Sequence, residues 1–140
     1  MGPVIALCSG LLVAGIYPLV VFLHRKKRMR DLDVNDVDRR SFEQESQGEH
    51  ARHFENITIT ETWVCEKSTL GTALFPLKEI AFFEKGDNIY RYDIVYHVAL
   101  MFKDGGEVKL PCPHEQQDEI LAVLEERCPQ ANQWPYGTFL

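Results

Sequence analysis

The chain has no CxxC pair, no glycine-rich loop and few bases beyond residue 30, and each absence removes a class of function. The four cysteines, Cys8, Cys65, Cys112 and Cys128, are scattered. In a reducing compartment they read as small buried apolar residues. Cys112-Pro113-His114 and His50-Ala51-Arg52-His53 come nearest to metal-ligand spacing, but neither has the second pair that a zinc site needs. Gly71 and Gly86 stand alone and form no phosphate-cradling loop. Ser9 lies in an apolar run, and Ser68 has no His and Asp at triad-like spacing. Alternation sets His97 on the polar side of a strand, where it reads as a surface histidine rather than a base. Glu125 and Glu126 are consecutive on a helix and do not face each other. The expectation is a protein that is not an enzyme and uses no cofactor or metal.

Charge is also missing from one stretch altogether. Residues 4 to 23 carry no charged side chain and include twelve of Leu, Ile, Val and Phe. A helix of that length is roughly 30 Å long, the thickness of a bilayer's hydrocarbon core. Twelve such residues favour insertion by about 4 to 7 kcal/mol, opposed only by Ser9, Gly10, Gly15 and Pro18. A cleaved signal peptide has its bases before the apolar run. Here they follow it, as His24-Arg25-Lys26-Lys27-Arg28-Met29-Arg30. The same bases orient the helix, with the N-terminus outside and the C-terminal part in the cytoplasm. Residues 1–24 are therefore predicted to be the single-pass anchor in the cell membrane. Within it Ala6, Gly10 and Ala14 repeat at four-residue spacing, a face on which a second helix can pack. Tyr17-Pro18 is placed to kink it.

The net charge is −6, and residues 25–30 contribute +5, so residues 31–140 carry −11. So acidic a part offers no footprint for nucleic acid. The expected lipid contact is confined to the stem, through Arg25, Lys26, Lys27, Arg28 and Arg30, at about 1 kcal/mol per base on an anionic leaflet. Residues 25–55 read as this basic stem followed by a polar, solvated linker, helical in part, because Leu32, Val34, Val37 and Phe42 are too few to build a core. A juxtamembrane helix that docks a partner is the alternative for residues 31–55.

From Asn56 the apolar period becomes two. Ile57, Ile59, Trp63 and Cys65 predict a first strand, with its register disturbed at Glu61. Thr69 to Leu74 and Glu79 to Glu84 predict two more. Tyr90, Tyr92, Ile94, Tyr96, Val98, Leu100 and Phe102 alternate with more polar residues and predict one long half-buried antiparallel strand. Asp104-Gly105-Gly106 turns it into Val108, Leu110 and Cys112, a hairpin. Pro113 begins a helix with Glu115, Asp118 and Glu119 early and Arg127 late, as the helix dipole favours. Gln117, Ile120, Leu121, Leu124 and Cys128 share its packing face, and Pro129 ends it. Four or five antiparallel strands closed by one helix make an α+β order over residues 56–140.

The run from Ile57-Thr58-Ile59-Thr60 to Phe75-Pro76-Leu77-Lys78-Glu79-Ile80-Ala81-Phe82-Phe83 resembles the membrane-attached bacterial pleckstrin-homology-like proteins. Phe75 stands where their I-P-L-x-x-I strand start has Ile. The hairpin at Gly105 and the helix ending Glu126-Arg127-Cys128-Pro129 fit the same family. The resemblance covers about residues 56 to 137. It implies a pleckstrin-homology-like split barrel closed by its C-terminal helix. Relatives of that fold often bind phosphoinositides through bases in the first loop. Here Cys65-Glu66-Lys67-Ser68-Thr69 supplies one base and one acid. The expected function is a binding or scaffold module at the cytoplasmic membrane face, with a protein partner or self-association. The alternatives are an accessory or regulatory subunit of a membrane transporter or enzyme complex, and a lipid-headgroup binder.

Overall fold

A computed structural model describes residues 19–68, 71–90 and 92–131 of the chain. The fold is α+β, as expected. Helix α1, described over residues 19–31, is followed by helix α2, Asp36–Ser46. Strands β1 (Arg52–His53), β2 (Ile57–Ile59), β3 (Trp63–Ser68) and β4 (Gly71–Pro76) form one antiparallel sheet in that order. Strands β5 (Ile80–Tyr90), β6 (Asp93–Phe102) and β7 (Glu107–Pro111) form a second, also antiparallel. A 3-10 turn, His114–Gln116, leads into helix α3, Gln117–Arg127. The sheets remain separate, so no closed barrel forms.

Ile57, Ile59, Val64 and Phe75 from the first sheet meet Val98, Leu100, Phe102 and Leu110 from the second, all buried. The rings of Phe75 and Phe102 are 5.5 Å apart across the sheets. Helix α3 adds Ile120 and Leu124, also fully buried, and Cys128 just beyond its end. Its first residue, Gln117, is buried too and donates through Nε2 to the carbonyls of Gly86 and His97, each at 2.9 Å. That bond pair locks the helix start to β5 and β6.

Two expected strands are each a hairpin instead. The alternation over residues 57–65 hides a two-residue turn, Glu61-Thr62, because Ile59 pairs with Val64. Such turns usually contain Gly or Asn. Here the Thr60 hydroxyl accepts from Trp63 N at 3.0 Å and supplies the turn chemistry itself. The expected long strand from Tyr90 likewise reverses between Tyr90 and Asp93, which pair with each other. Tyr92 is therefore fully exposed and Ile94 is exposed, whereas Val98, Leu100 and Phe102 are buried as anticipated. His97, expected on a solvated face, is buried. The hairpin at Asp104-Gly105-Gly106 is as expected, with Gly105 at φ +89° where a side chain would be strained.

The expected linker is also folded. Helix α1 ends in a Schellman motif: Val34 N bonds Met29 O at 2.9 Å, Asp33 N bonds Arg30 O at 3.0 Å, and Asp33 sits at φ +61°. Asn35 then caps α2, accepting from Val37 N and Asp38 N, while Asp38 returns a bond to Asn35 N. Met29 and Phe42 are buried in the core, and Leu32 and Val34 pack against it. Composition misleads here because two anchor residues, placed by well-capped helices, are enough to seat a segment that cannot build a core alone.

Candidate functional site

Sheet edges leave backbone groups unpaired, and proteins cover them. The edge strands of the two sheets are β1, β4, β5 and β7, and α1 lies across the slot between β4 and β7. Leu74 N of β4 is 3.3 Å from Met29 Sδ. On the β7 side, His24 Nε2 donates to Glu107 O and Arg25 Nη2 to Lys109 O, both at 2.9 Å. Arg25 also ion-pairs through Nη1 with Glu66 of β3, whose side chain is only 2% exposed. Arg28 forks onto Asp104 at 2.8 and 3.0 Å and reaches Asp31 at 2.5 Å. Its guanidinium lies over Gly106, where any Cβ would collide with it. The hydrogen bond from Gly106 N, together with Arg28, holds the Asp104 carboxyl below its ordinary range.

Of the five bases expected to touch lipid, the fold thus engages Arg25 and Arg28 internally. Lys26, Lys27 and Arg30 are exposed, with the Lys26 ammonium 5.0 Å from the centre of the Phe22 ring. Glu66, expected in a loop, is instead within β3. The helix-pairing face Ala6, Gly10 and Ala14, and residues 4–18 of the expected anchor, lie outside the described residues, as does the tail from 132 to 140. Among the described residues no helix is long and apolar enough to cross a membrane.

Between α1 and the sheets lies a cleft of about 700 Å³. Val20, Val21 and Phe22 form its helical wall, and Val95 and Val108 face them. Polar groups are spaced among these: His24, Lys26, Asn88, His97, Glu107 and Lys109. With Arg25, Ser68 and Thr72 also in the lining, half of the residues around the cleft are polar, more than the few usual in a small-molecule site.

His97 is its least expected member. Burial, with Lys109 in support, pushes the imidazole below its ordinary pKa and so favours the neutral ring. Its Nδ1 is buried with no hydrogen-bond partner. The ring finds room because its cross-strand neighbour is Gly86, where a Cβ would come 2.7 Å from Nε2. Gly86→Ala is therefore expected to destabilise the fold by about 1 to 3 kcal/mol through overpacking. In a His97→Ala background the same change should be neutral or stabilising, since strand glycine is itself unfavourable. Denaturant melts of the four chains decide this, and an equal loss in both backgrounds would refute the fit.

Little nucleophilic chemistry is on offer here. Burial pushes the thiols of Cys65, Cys112 and Cys128 up to about 11, which keeps them protonated at neutral pH. The Ser68 hydroxyl donates to Gly71 O at 3.0 Å. Among the described residues no group of three or more His, Cys, Asp and Glu is arranged to hold a metal ion. His50 lies 3.9 Å from Glu61, His53 bonds Ser46 O at 3.1 Å, and His114 stacks on Tyr96 with centroids 4.2 Å apart.

Sequence reasoning misses Glu66, His97 and Lys109. The one signal for Glu66 is a carboxylate inside an otherwise apolar strand start, with unpaired bases upstream. For His97 it is a glycine at a partner position that only the hairpin register reveals.

No family model, curated protein or solved structure matches the chain.

Proposed function

We propose that this chain is a single-pass membrane protein that holds a pleckstrin-homology-like module at the cytoplasmic face, where it binds a partner or scaffolds one. The observation that carries the reading is α1. The apolar run 4–23 enters the described part as a helix at residue 19, and that helix continues unbroken until Met29 is in the core. On this reading the anchor runs into the module through α1, which is helical from residue 19 to 31. Four antiparallel strands, then three, then a closing helix support the split-barrel assignment.

Binding rather than catalysis is favoured by protonated thiols and by a cleft whose polar groups are spread among apolar walls. A headgroup site ranks below a protein partner, because Glu66 neutralises Arg25, although Lys26 and Lys109 also line the cleft. Cytoplasmic placement follows from the bases after Leu23.

The test is a pair of C-terminal fusions to the full chain in a bacterial host. A fluorescent protein that matures only in the cytoplasm should be bright, and a phosphatase active only outside should be silent. The opposite pattern would invert the topology. Fusion protein in the soluble fraction would remove the anchor.

A further inference from the structure

Single exposed apolar residues are ordinary, whereas a cluster of them marks a contact. Among the described residues seven large hydrophobics are exposed, and six belong to two segments: Leu19, Val20 and Leu23 of α1, and Ile89, Tyr92 and Ile94 at the β5–β6 tip. Ile89 is 76% and Tyr92 100% exposed. Only Val37 stands elsewhere.

The two segments share one end of the molecule. Along α1, contacts run from Arg28 at the Asp104 turn to Arg25 and His24 on β7. Farther back, Val20 and Val21 line the cleft together with Pro111, Asn88 and Val95. Strand β7 ends at Pro111, which pairs with His97. One more bond, from Cys112 N to Tyr96 O at 3.0 Å, follows, and β5 and β6 then run on to the tip, an overhang of roughly 10 Å for the three residues from Tyr96 to Asp93. The hairpin thus projects in the direction from which the apolar run arrives.

We infer that the β5–β6 tip is a second membrane contact, dipping Ile89, Tyr92 and Ile94 into the headgroup region beside the anchor. This rests on the anchor reading above. Tyrosine suits that depth, because its ring is apolar and its hydroxyl stays wet. Asp87 and Asp93 beside the tip, and Arg91 within its sequence, limit it to shallow entry. The contact works through apolar area, which matters for a part that carries −11 and is repelled by anionic lipid. With two points held, the module cannot swing about the anchor, and the cleft faces the bilayer surface at a fixed height.

The experiment uses the full chain reconstituted in phosphatidylcholine vesicles, with lipids brominated along their acyl chains as fluorescence quenchers. Tyr92→Trp, and separately Ile89→Trp, add an emitter at the tip above the background of Trp63 and Trp134. Lys103→Trp adds one beside the opposite turn. Emission added at 92 or 89 should fall by roughly twofold on bromination, as for side chains seated in the interface. Emission added at 103 should not change. Salt should not alter either result. A wild-type chain that fails to float with carbonate-washed vesicles overturns the anchor and this inference with it. A chain that floats, with both tip emitters unquenched, overturns the inference alone, and so does equal quenching at 92 and 103.

Discussion

Arg25→Met should cost the fold about 3 to 5 kcal/mol, because it strands a buried carboxylate. Glu66 is 2% exposed and Arg25 11%, and Glu66 Oε2 has no hydrogen-bond partner. Removing the guanidinium also frees Lys109 O at the β7 edge. Folded domains hold only about 5 to 15 kcal/mol in all, so the single variant should melt far below the parent. Taking out both charges, in Arg25→Met with Glu66→Met, should recover most of the loss, since a buried pair replaced by apolar groups is often neutral. Lys85→Ala, at an ion pair whose side chains are 53% and 81% exposed, should leave the melt unchanged. Thermal melts in detergent separate these outcomes. An Arg25→Met chain that melts with the parent would mean α1 is not seated in the slot.

Leu100→Ala should cost about 2 to 5 kcal/mol, depending on how far the cavity relaxes. Leu100 is fully buried at the centre of the second sheet, paired with Phe83 on one side and Val108 on the other. Lys103→Ala, one residue past the buried Phe102, should change little. Equal melting temperatures for the two would contradict the assigned strand faces.

Much of the fold was legible because burial has a period. Val98, Leu100 and Phe102 announce the inner face of β6, Gly105 announces its turn, and Ile120 and Leu124 announce the face of α3. What misled was punctuation. Glu61-Thr62 and the reversal before Asp93 turn the chain without the glycine or asparagine that usually marks a two-residue loop. Alternation therefore ran straight through both, and two hairpins passed for single strands. The site was less legible than the fold. The bases after Leu23 serve as topology signals in sequence, and nothing local distinguishes Arg25 and Arg28, which the fold uses, from Lys27, which is exposed. Their partners Glu66 and Asp104 are 41 and 76 residues away, beyond the reach of any periodicity.

Those separations have a consequence for how the chain is made. His24 and Arg25 take carbonyls 83 and 84 residues later in the chain. Helix α1 is synthesised before any strand and cannot seat on β7 until the second sheet is nearly finished. Contacts so distant in sequence form slowly, after loop closure has been met. Until then the edges of β4 and β7 stand open during translation, at the stage when a nascent chain is most exposed to pairing with a neighbour. If residues 4–23 are already held in the bilayer at that stage, as proposed, α1 waits at a fixed point while the strands fold toward it, and the search is shortened.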